Sequence, residues 1–297
     1  MTAEPTITSA SKTGANDDNV IFGNEQTEAA RLDMQHRVLW DANPKPIYAP
    51  IDLSKGGFKI LDQATSSGIW IRDMQMATDN APNIWIGTDI EDDWFPKDPP
   101  SGTSYHHQSM TEPWPKEWEG TFDLVHSRMA LPGVGTKPVE DVIRRLVSLV
   151  KPGGWIQFVE MEWCDDLMNF GGIWTRTFLQ VSKDLISMVS NGQGIGLREK
   201  VTSMLEALEM VDIEYKIIVT PFGALASDKI RETSEASLYA TSMGIASTTK
   251  MLPPVAFHER ILTSCRLNSS KKSSRTAGKC TISHYGRGSR YLSNRTS

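Results

Sequence analysis

The sequence predicts an α/β fold, a doubly wound and mostly parallel sheet with helices on both faces. Short apolar runs that are typical of buried strands alternate with helical patterns. These runs occupy residues 58–61, 83–90, 122–126 and 155–160. A helical pattern over residues 139–150 and a Lys-Pro-Gly-Gly turn precede the fourth run. Strands that alternate with helices in this way favour a parallel sheet covered on both faces.

A turn of small residues links the first predicted strand to the helix that follows it. Its members are Asp62, Ala64, Ser66 and Gly68. At the carboxyl end of a parallel strand, such a turn lets a nucleotide-like cofactor approach the main chain and the helix N-terminus. Asp89 ends the second strand about twenty residues later, the spacing at which a Rossmann-like sheet presents a carboxylate to a ribose. The turn and Asp89 together predict a nucleoside cofactor.

Five motifs in order resemble the class I S-adenosylmethionine-dependent methyltransferases. They are RLDMQH, ILDQATSSGIW, IGTDI, FDLVHSR and LVKPGGWIQFVE. The first of them narrows the resemblance to the LaeA-like and UMTA-like methyltransferases of fungal secondary metabolism, over residues 26–225. The resemblance implies the class I methyltransferase fold and S-adenosylmethionine as cofactor, with its methionine part on the turn at residues 62–68 and its ribose on Asp89.

The chain departs from the family pattern at two places. Ala64 and Ser66 stand where the family has glycines in the turn. Gln108 and Ser109 replace the acidic pair that often follows the third strand near the adenine, which makes Gln108 a candidate cofactor contact.

The resemblance implies methyl transfer to O, N or S of a small natural-product intermediate in secondary metabolism. The alternative is a methyltransferase-like regulator, or an inactive relative, that acts through partner binding, because the turn has lost two glycines. An NAD-dependent dehydrogenase on a similar sheet fits less well, since the turn lacks G-x-G-x-x-G.

Three candidate catalytic residues lie at the ends of predicted strands: His126, Arg128 and Glu160. Methyl transfer from a sulfonium chiefly requires alignment, and a base helps when the acceptor carries a proton. His126 and Arg128 follow the third core strand, and Glu160 matches the family's acid after PGGW. A structural role for His126 stays open. His106 and its neighbour lack partners at zinc-ligand spacing, so no metal site is predicted.

The chain divides into a domain and two tails. Residues 1–24 are polar and predict a disordered tail, and residues 25–257 form the methyltransferase domain. A helical insertion over about residues 164–200 covers the substrate pocket in the resembling enzymes. Residues 258–297 carry nine Lys and Arg against one acid and lack apolar periodicity. They predict a second disordered tail and an incomplete C-terminal edge of the sheet.

Charge and cysteine usage limit the partners and the compartment. Residues 1–257 carry 35 acidic against 22 basic side chains, which argues against a nucleic-acid substrate. Three cysteines without CxxC spacing indicate a reducing compartment. We expect neither a signal peptide nor a membrane span, and therefore a location in the cytoplasm or the nucleus. The sequence leaves the oligomeric state open.

Overall fold

The computed structural model describes residues 26–43, 45–169, 171–251 and 278–287, which form a seven-stranded sheet with flanking helices. The strands are β1 (Lys59–Gln63), β2 (Ile84–Asp89), β3 (Thr103–His107), β4 (Phe122–Arg128), β5 (Val150–Met161), β6 (Val211–Pro221) and β7 (Gly278–Arg287). The helices are α1 (Gln26–Ala42), α2 (Ile69–Ala77), α3 (Val139–Leu149), α4 (Asp165–Met168), α5 (Ile173–Val189), α6 (Leu197–Ala207) and α7 (Arg231–Met251).

The strand order is β3-β2-β1-β4-β5-β7-β6, with β1 to β5 parallel to one another. The predicted α/β fold is therefore confirmed. The chain order of the strands reverses between β1 and β4, and ligands of such sheets bind in the crevice beyond the carboxyl ends at this position. Asp62 in β1 lies in register with His126 in β4, so both side chains reach the same level of the sheet.

Helices cover both faces because successive strand residues point to opposite sides. Leu61 and Val125 belong to the core that α3 and α6 cover. Their neighbours Ile60 and Leu124 belong to a second core, which is closed by Trp70 and the rest of the apolar stripe of α2. This arrangement fixes the strands on two sides and leaves their carboxyl ends open to a ligand.

The C-terminal edge of the sheet differs from the sequence prediction. Gly278–Arg287 forms an antiparallel strand between β5 and β6, in register with seven residues of β5 and nine of β6. The prediction of an incomplete edge, and of disorder over this segment, is wrong. The segment KCTISHYGR has few apolar residues, and main-chain hydrogen bonding to two neighbouring strands is a property that composition does not reveal. The remaining predicted tail residues, 1–24, 258–277 and 288–297, lie outside the described residues.

None of the helices in the described ranges combines the length and the apolar character that crossing a bilayer requires.

Candidate functional site

A cavity of about 300 Å³ lies beyond the carboxyl ends of β1, β2, β4 and β5. Its sheet side is lined by residues 62–66, 69, 89, 90, 94, 108, 110, 128–130, 132, 133, 160 and 161. Its helix side is lined by residues 28, 31, 32 and 35 of α1, 178, 179, 182 and 186 of α5, and 237, 238, 241 and 245 of α7, together with Trp163 and Phe222. One continuous space thus joins the predicted cofactor turn to a wall of helices.

The turn after β1 keeps the backbone shape of a glycine-rich turn. Ala64, Ser66 and Gly68 have φ angles of 56°, 52° and 72°, all in the left-handed region that favours glycine. A Cβ atom at Gly68 would collide with the ring of Tyr105, so this position requires glycine. The two substituted positions therefore carry conformational strain but do not change the course of the turn.

Asp89 holds this turn from the neighbouring strand. Its Oδ2 accepts the backbone N–H of Ser66 at 2.8 Å, and its Oδ1 accepts the N–H of Glu91 at 3.1 Å. Burial raises the pKa of the Asp89 carboxyl above its ordinary value. A carboxylate offers about four acceptor positions, and the backbone N–H groups of Ser66, Glu91 and Ile90 leave one for a ribose hydroxyl. The fixed turn and this partly used carboxylate fit the nucleoside that the sequence predicts.

Asp62 is held from two directions at the end of β1. Its Oδ2 accepts the hydroxyl of Thr65 at 2.7 Å, and its Oδ1 lies 2.7 Å from Nδ1 of His126. Because a carboxylate accepts hydrogen bonds, Nδ1 of His126 donates its N–H to Asp62, and burial lowers the pKa of the ring. The ring of His126 also stacks on Trp70, with centroids 3.9 Å apart and planes inclined by 6°.

His126 is not among the described residues that line the large cavity. It faces a separate space of about 30 Å³, which Arg128 and Thr220 also line. Arg128 lines both spaces and interacts electrostatically with Asp62 and Asp73. The structure therefore places Arg128 at the predicted site and His126 behind Asp62.

Glu160 and Gln108 both line the large cavity. Oε1 of Glu160 accepts the backbone N–H groups of Ala130 and Leu131 at 3.1 and 3.0 Å, which fixes the loop after β4. Nε2 of Gln108 donates to the carbonyl of Ser109 at 2.8 Å. Each side chain thus shapes a wall of the cavity through hydrogen bonds to the main chain.

A polar group on the helix side was missed in the sequence. Arg31 donates to both carboxylate oxygens of Glu28, at 2.8 and 2.7 Å, and both residues are buried. Nη1 of Arg31 also donates to Gln35 at 2.9 Å and lies 3.4 Å from the hydroxyl of Thr241 in α7. The i,i+3 spacing of Glu28 and Arg31 could have suggested a pair, but only the fold shows that it is buried against α7.

In the described part of the chain, the acidic, histidine and cysteine side chains form no group of three or more that could hold a metal ion.

No protein-family model matches the chain. It is 34% identical to the methyltransferase psoC of Aspergillus fumigatus over 191 residues, which cover 64% of this chain and 68% of psoC. The chain belongs to the class I S-adenosylmethionine-dependent methyltransferases. The family predicted from the sequence motifs is thus confirmed.

Two further relatives match different lengths of this methyltransferase chain. It is 42% identical to the N-methyltransferase sirN of Leptosphaeria maculans over 142 residues, 48% of this chain and 49% of sirN. The chain therefore spans about half the length of sirN in this match. It is 26% identical to the secondary metabolism regulator laeA of A. fumigatus over 235 residues, 77% of this chain and 60% of laeA.

Proposed function

We propose that the chain is an enzyme that transfers the methyl group of S-adenosylmethionine to a nitrogen atom of a small natural-product intermediate in fungal secondary metabolism. The observation that carries the proposal is the continuous cavity, which connects the strained turn after β1 to an apolar wall of helices. Family membership supports the cofactor. The name of sirN, an N-methyltransferase, supports nitrogen as the acceptor atom.

The sheet side supplies the cofactor contacts in this proposal. When bound, S-adenosylmethionine supplies an electrophilic methyl group on a sulfonium. Asp89 would accept a ribose hydroxyl, and the turn at residues 62–68 would hold the methionine part. Gln108 and Met110 also line this side and would be the candidates for contact with the adenine.

Three carboxylates give the sheet side a negative potential that suits a cationic cofactor. Asp62, Asp89 and Glu160 all line the cavity, and each is held by hydrogen bonds within the chain. Groups that are fixed before the ligand arrives stabilise its charge without reorganising. This preorganisation supports binding of a sulfonium and an ammonium group on the sheet side.

Alignment carries most of the catalysis in this proposal. The acceptor nitrogen has to meet the methyl group in line, and a walled cavity restricts its approach. Arg128 and Glu160 line the sheet side of the cavity and remain the candidates for contact with the acceptor nitrogen. His126 acts as a positioning residue, because it reaches the cavity only through Asp62.

The similarity to laeA supports a second function, a regulator that acts through partner binding. Methyl-labelled S-adenosylmethionine, incubated with the purified chain and a fungal metabolite extract, separates the two. The enzyme proposal predicts label in small molecules of the organic phase, attached to nitrogen by mass spectrometry. Absence of label there, with cofactor bound, would favour the regulator, and label on oxygen or sulfur alone would refute the nitrogen assignment.

A further inference from the structure

The helix side of the cavity is largely apolar. The residues that give it this character are Trp163, Phe178, Leu179, Ile186, Leu238 and Ile245. An acceptor that enters this space loses most of its hydration. Apolar parts of the acceptor gain from this transfer, whereas an unpaired charge is strongly disfavoured.

The two charged side chains among the described helix-side residues neutralise each other. Both oxygens of Glu28 are bound by Arg31, whose remaining terminal nitrogen faces Gln35 and Thr241. The pair is buried, with Glu28 8% and Arg31 6% exposed. Neither charge is therefore available to an ionised acceptor unless the pair breaks, which leaves an uncompensated charge in a buried place. On the sheet side, Arg128 already interacts with Asp62 and Asp73, and Glu160 accepts the backbone N–H groups of Ala130 and Leu131.

Ser237 provides a neutral polar contact on the same wall. It lies in α7, lines the cavity and is 1% exposed, and its hydroxyl has no hydrogen-bond partner within the described residues. Its own backbone carbonyl accepts the hydroxyl of Thr241 at 2.8 Å, one turn further along α7. Buried hydroxyls are normally paired, so an unpaired one in a ligand cavity indicates a partner on the ligand.

We infer that the helix side selects an uncharged, largely apolar acceptor whose neutral hydrogen-bonding group, such as an amide, pairs with the Ser237 hydroxyl. The inference rests on the proposed methyl transfer, since it assigns the acceptor half of that site. Beyond the proposed function, it assigns the charge state of the acceptor and the residues that select for that charge state. Glu28 and Arg31 disfavour ionised acceptors because their salt bridge leaves neither charge for a ligand. Ser237 forms the hydrogen bond with the neutral polar group of the acceptor.

The test uses three aromatic probes of one size that differ in charge: phenylacetamide, phenylacetate and phenethylamine. Each is titrated by NMR into the full chain saturated with S-adenosylhomocysteine at neutral pH. We expect phenylacetamide to bind at least about tenfold more tightly than either ion. Equal or tighter binding of an ion, or binding of none of the three probes, would overturn the inference.

Variants locate the effect on the named residues. Ser237→Ala should weaken the binding of phenylacetamide about tenfold. Ser247→Ala, at an exposed position of α7, should leave this affinity unchanged. Glu28→Gln removes the carboxylate that pairs with Arg31 and should strengthen the binding of phenylacetate about tenfold. Glu232→Gln, on the surface, should leave the affinity for phenylacetate unchanged. Unchanged probe affinities in Ser237→Ala or in Glu28→Gln contradict the inference.

Binding of S-adenosylhomocysteine is measured separately in every sample. If the wild-type chain does not bind S-adenosylhomocysteine, the proposed function is contradicted. If it binds S-adenosylhomocysteine but prefers a charged probe, only the inference about the acceptor is contradicted. The order of the three probe affinities is measured on the wild-type chain alone. The inference can therefore be tested even if a variant fails to fold.

Discussion

His126 donates its Nδ1–H to Asp62 across 2.7 Å, on the side of the carboxylate away from Thr65. The ring lies flat on Trp70 and cannot turn toward the large cavity without losing both contacts. A histidine that the sequence offered as a general base is thus placed to hold an acidic side chain in a fixed orientation. The contact links the buried core under α2 to the wall of the candidate cofactor site.

Replacing His126 should therefore affect cofactor binding more than turnover. His126→Leu removes the hydrogen-bond donor to Asp62 and should weaken the binding of S-adenosylhomocysteine about tenfold, because one hydrogen bond to a charged group is lost. His126→Asn keeps an N–H near the position of Nδ1 and should recover most of the affinity. Calorimetry and saturating-substrate kinetics measure the two effects. A hundredfold loss of kcat in His126→Asn, at constant cofactor affinity, would restore the general-base assignment.

Glycine at position 64 should stabilise the chain. The left-handed conformation costs a residue with a Cβ roughly 1–2 kcal/mol, and glycine loses about 0.5–1 kcal/mol in conformational entropy, so Ala64→Gly should gain up to about 1.5 kcal/mol. The matched change Ala236→Gly, at an exposed position of α7, should lose about 1 kcal/mol. Urea unfolding measures both. A loss of stability in Ala64→Gly would show that the turn is adapted to alanine.

The C-terminal strand should be required for a stable sheet. A chain that ends at residue 277 lacks β7 and leaves β5 and β6 without a common partner. We expect its melting temperature to fall by about 10 °C or more, compared with a chain that ends at residue 287. Melting temperatures within about 2 °C of each other would contradict the position of Gly278–Arg287 in the sheet.

Folding stability should fall on acidification through His36. This side chain is fully buried and lies 2.8 Å from Asp73. Burial, reinforced by the positive charge of Arg128, lowers the pKa of His36 well below its ordinary value of 6.5. The Asp73 carboxylate opposes this shift, but burial also raises the pKa of Asp73, and we expect the neutral histidine to prevail.

Because the unfolded chain binds the proton more tightly, the contribution of His36 is complete above pH 6.5 and is lost as the pH falls. The slope for one such group is about 1.4 kcal/mol per pH unit. Urea unfolding between about pH 7 and pH 5 should show a shallower slope in His36→Leu than in the wild type. His107→Leu, at an exposed position, serves as control, and equal slopes in all three chains would exclude the effect.

The elements around the site could be predicted because their signals are local. Apolar runs identified β1, β2, β4 and β5, and strand ends placed Asp62 and Asp89 at one edge of the sheet. Alternation also placed His126 and Arg128 on one face. It could not show which way the His126 ring points, since Trp70 and Asp62, both distant in sequence, determine that.

The remaining features depend on contacts between distant segments. The buried pair of Glu28 and Arg31 becomes part of the cavity only because α1 packs near Thr241 of α7. β7 is held by two strands that end more than fifty residues earlier in the chain, and its own composition resembles that of the surrounding basic segment. Neither arrangement leaves a periodic signal in the sequence.

Calorimetric titration of S-adenosylhomocysteine into the wild-type chain and Asp89→Asn tests the central claim, a cofactor site at the turn after β1, most directly. Asparagine still accepts the Ser66 N–H but loses the charge that binds the ribose. We predict one site in the wild type and about tenfold to a hundredfold weaker binding in Asp89→Asn, with Asp93→Asn, an exposed control, unchanged. No binding to the wild type at about 1 mM, or equal affinity in Asp89→Asn, would contradict the account.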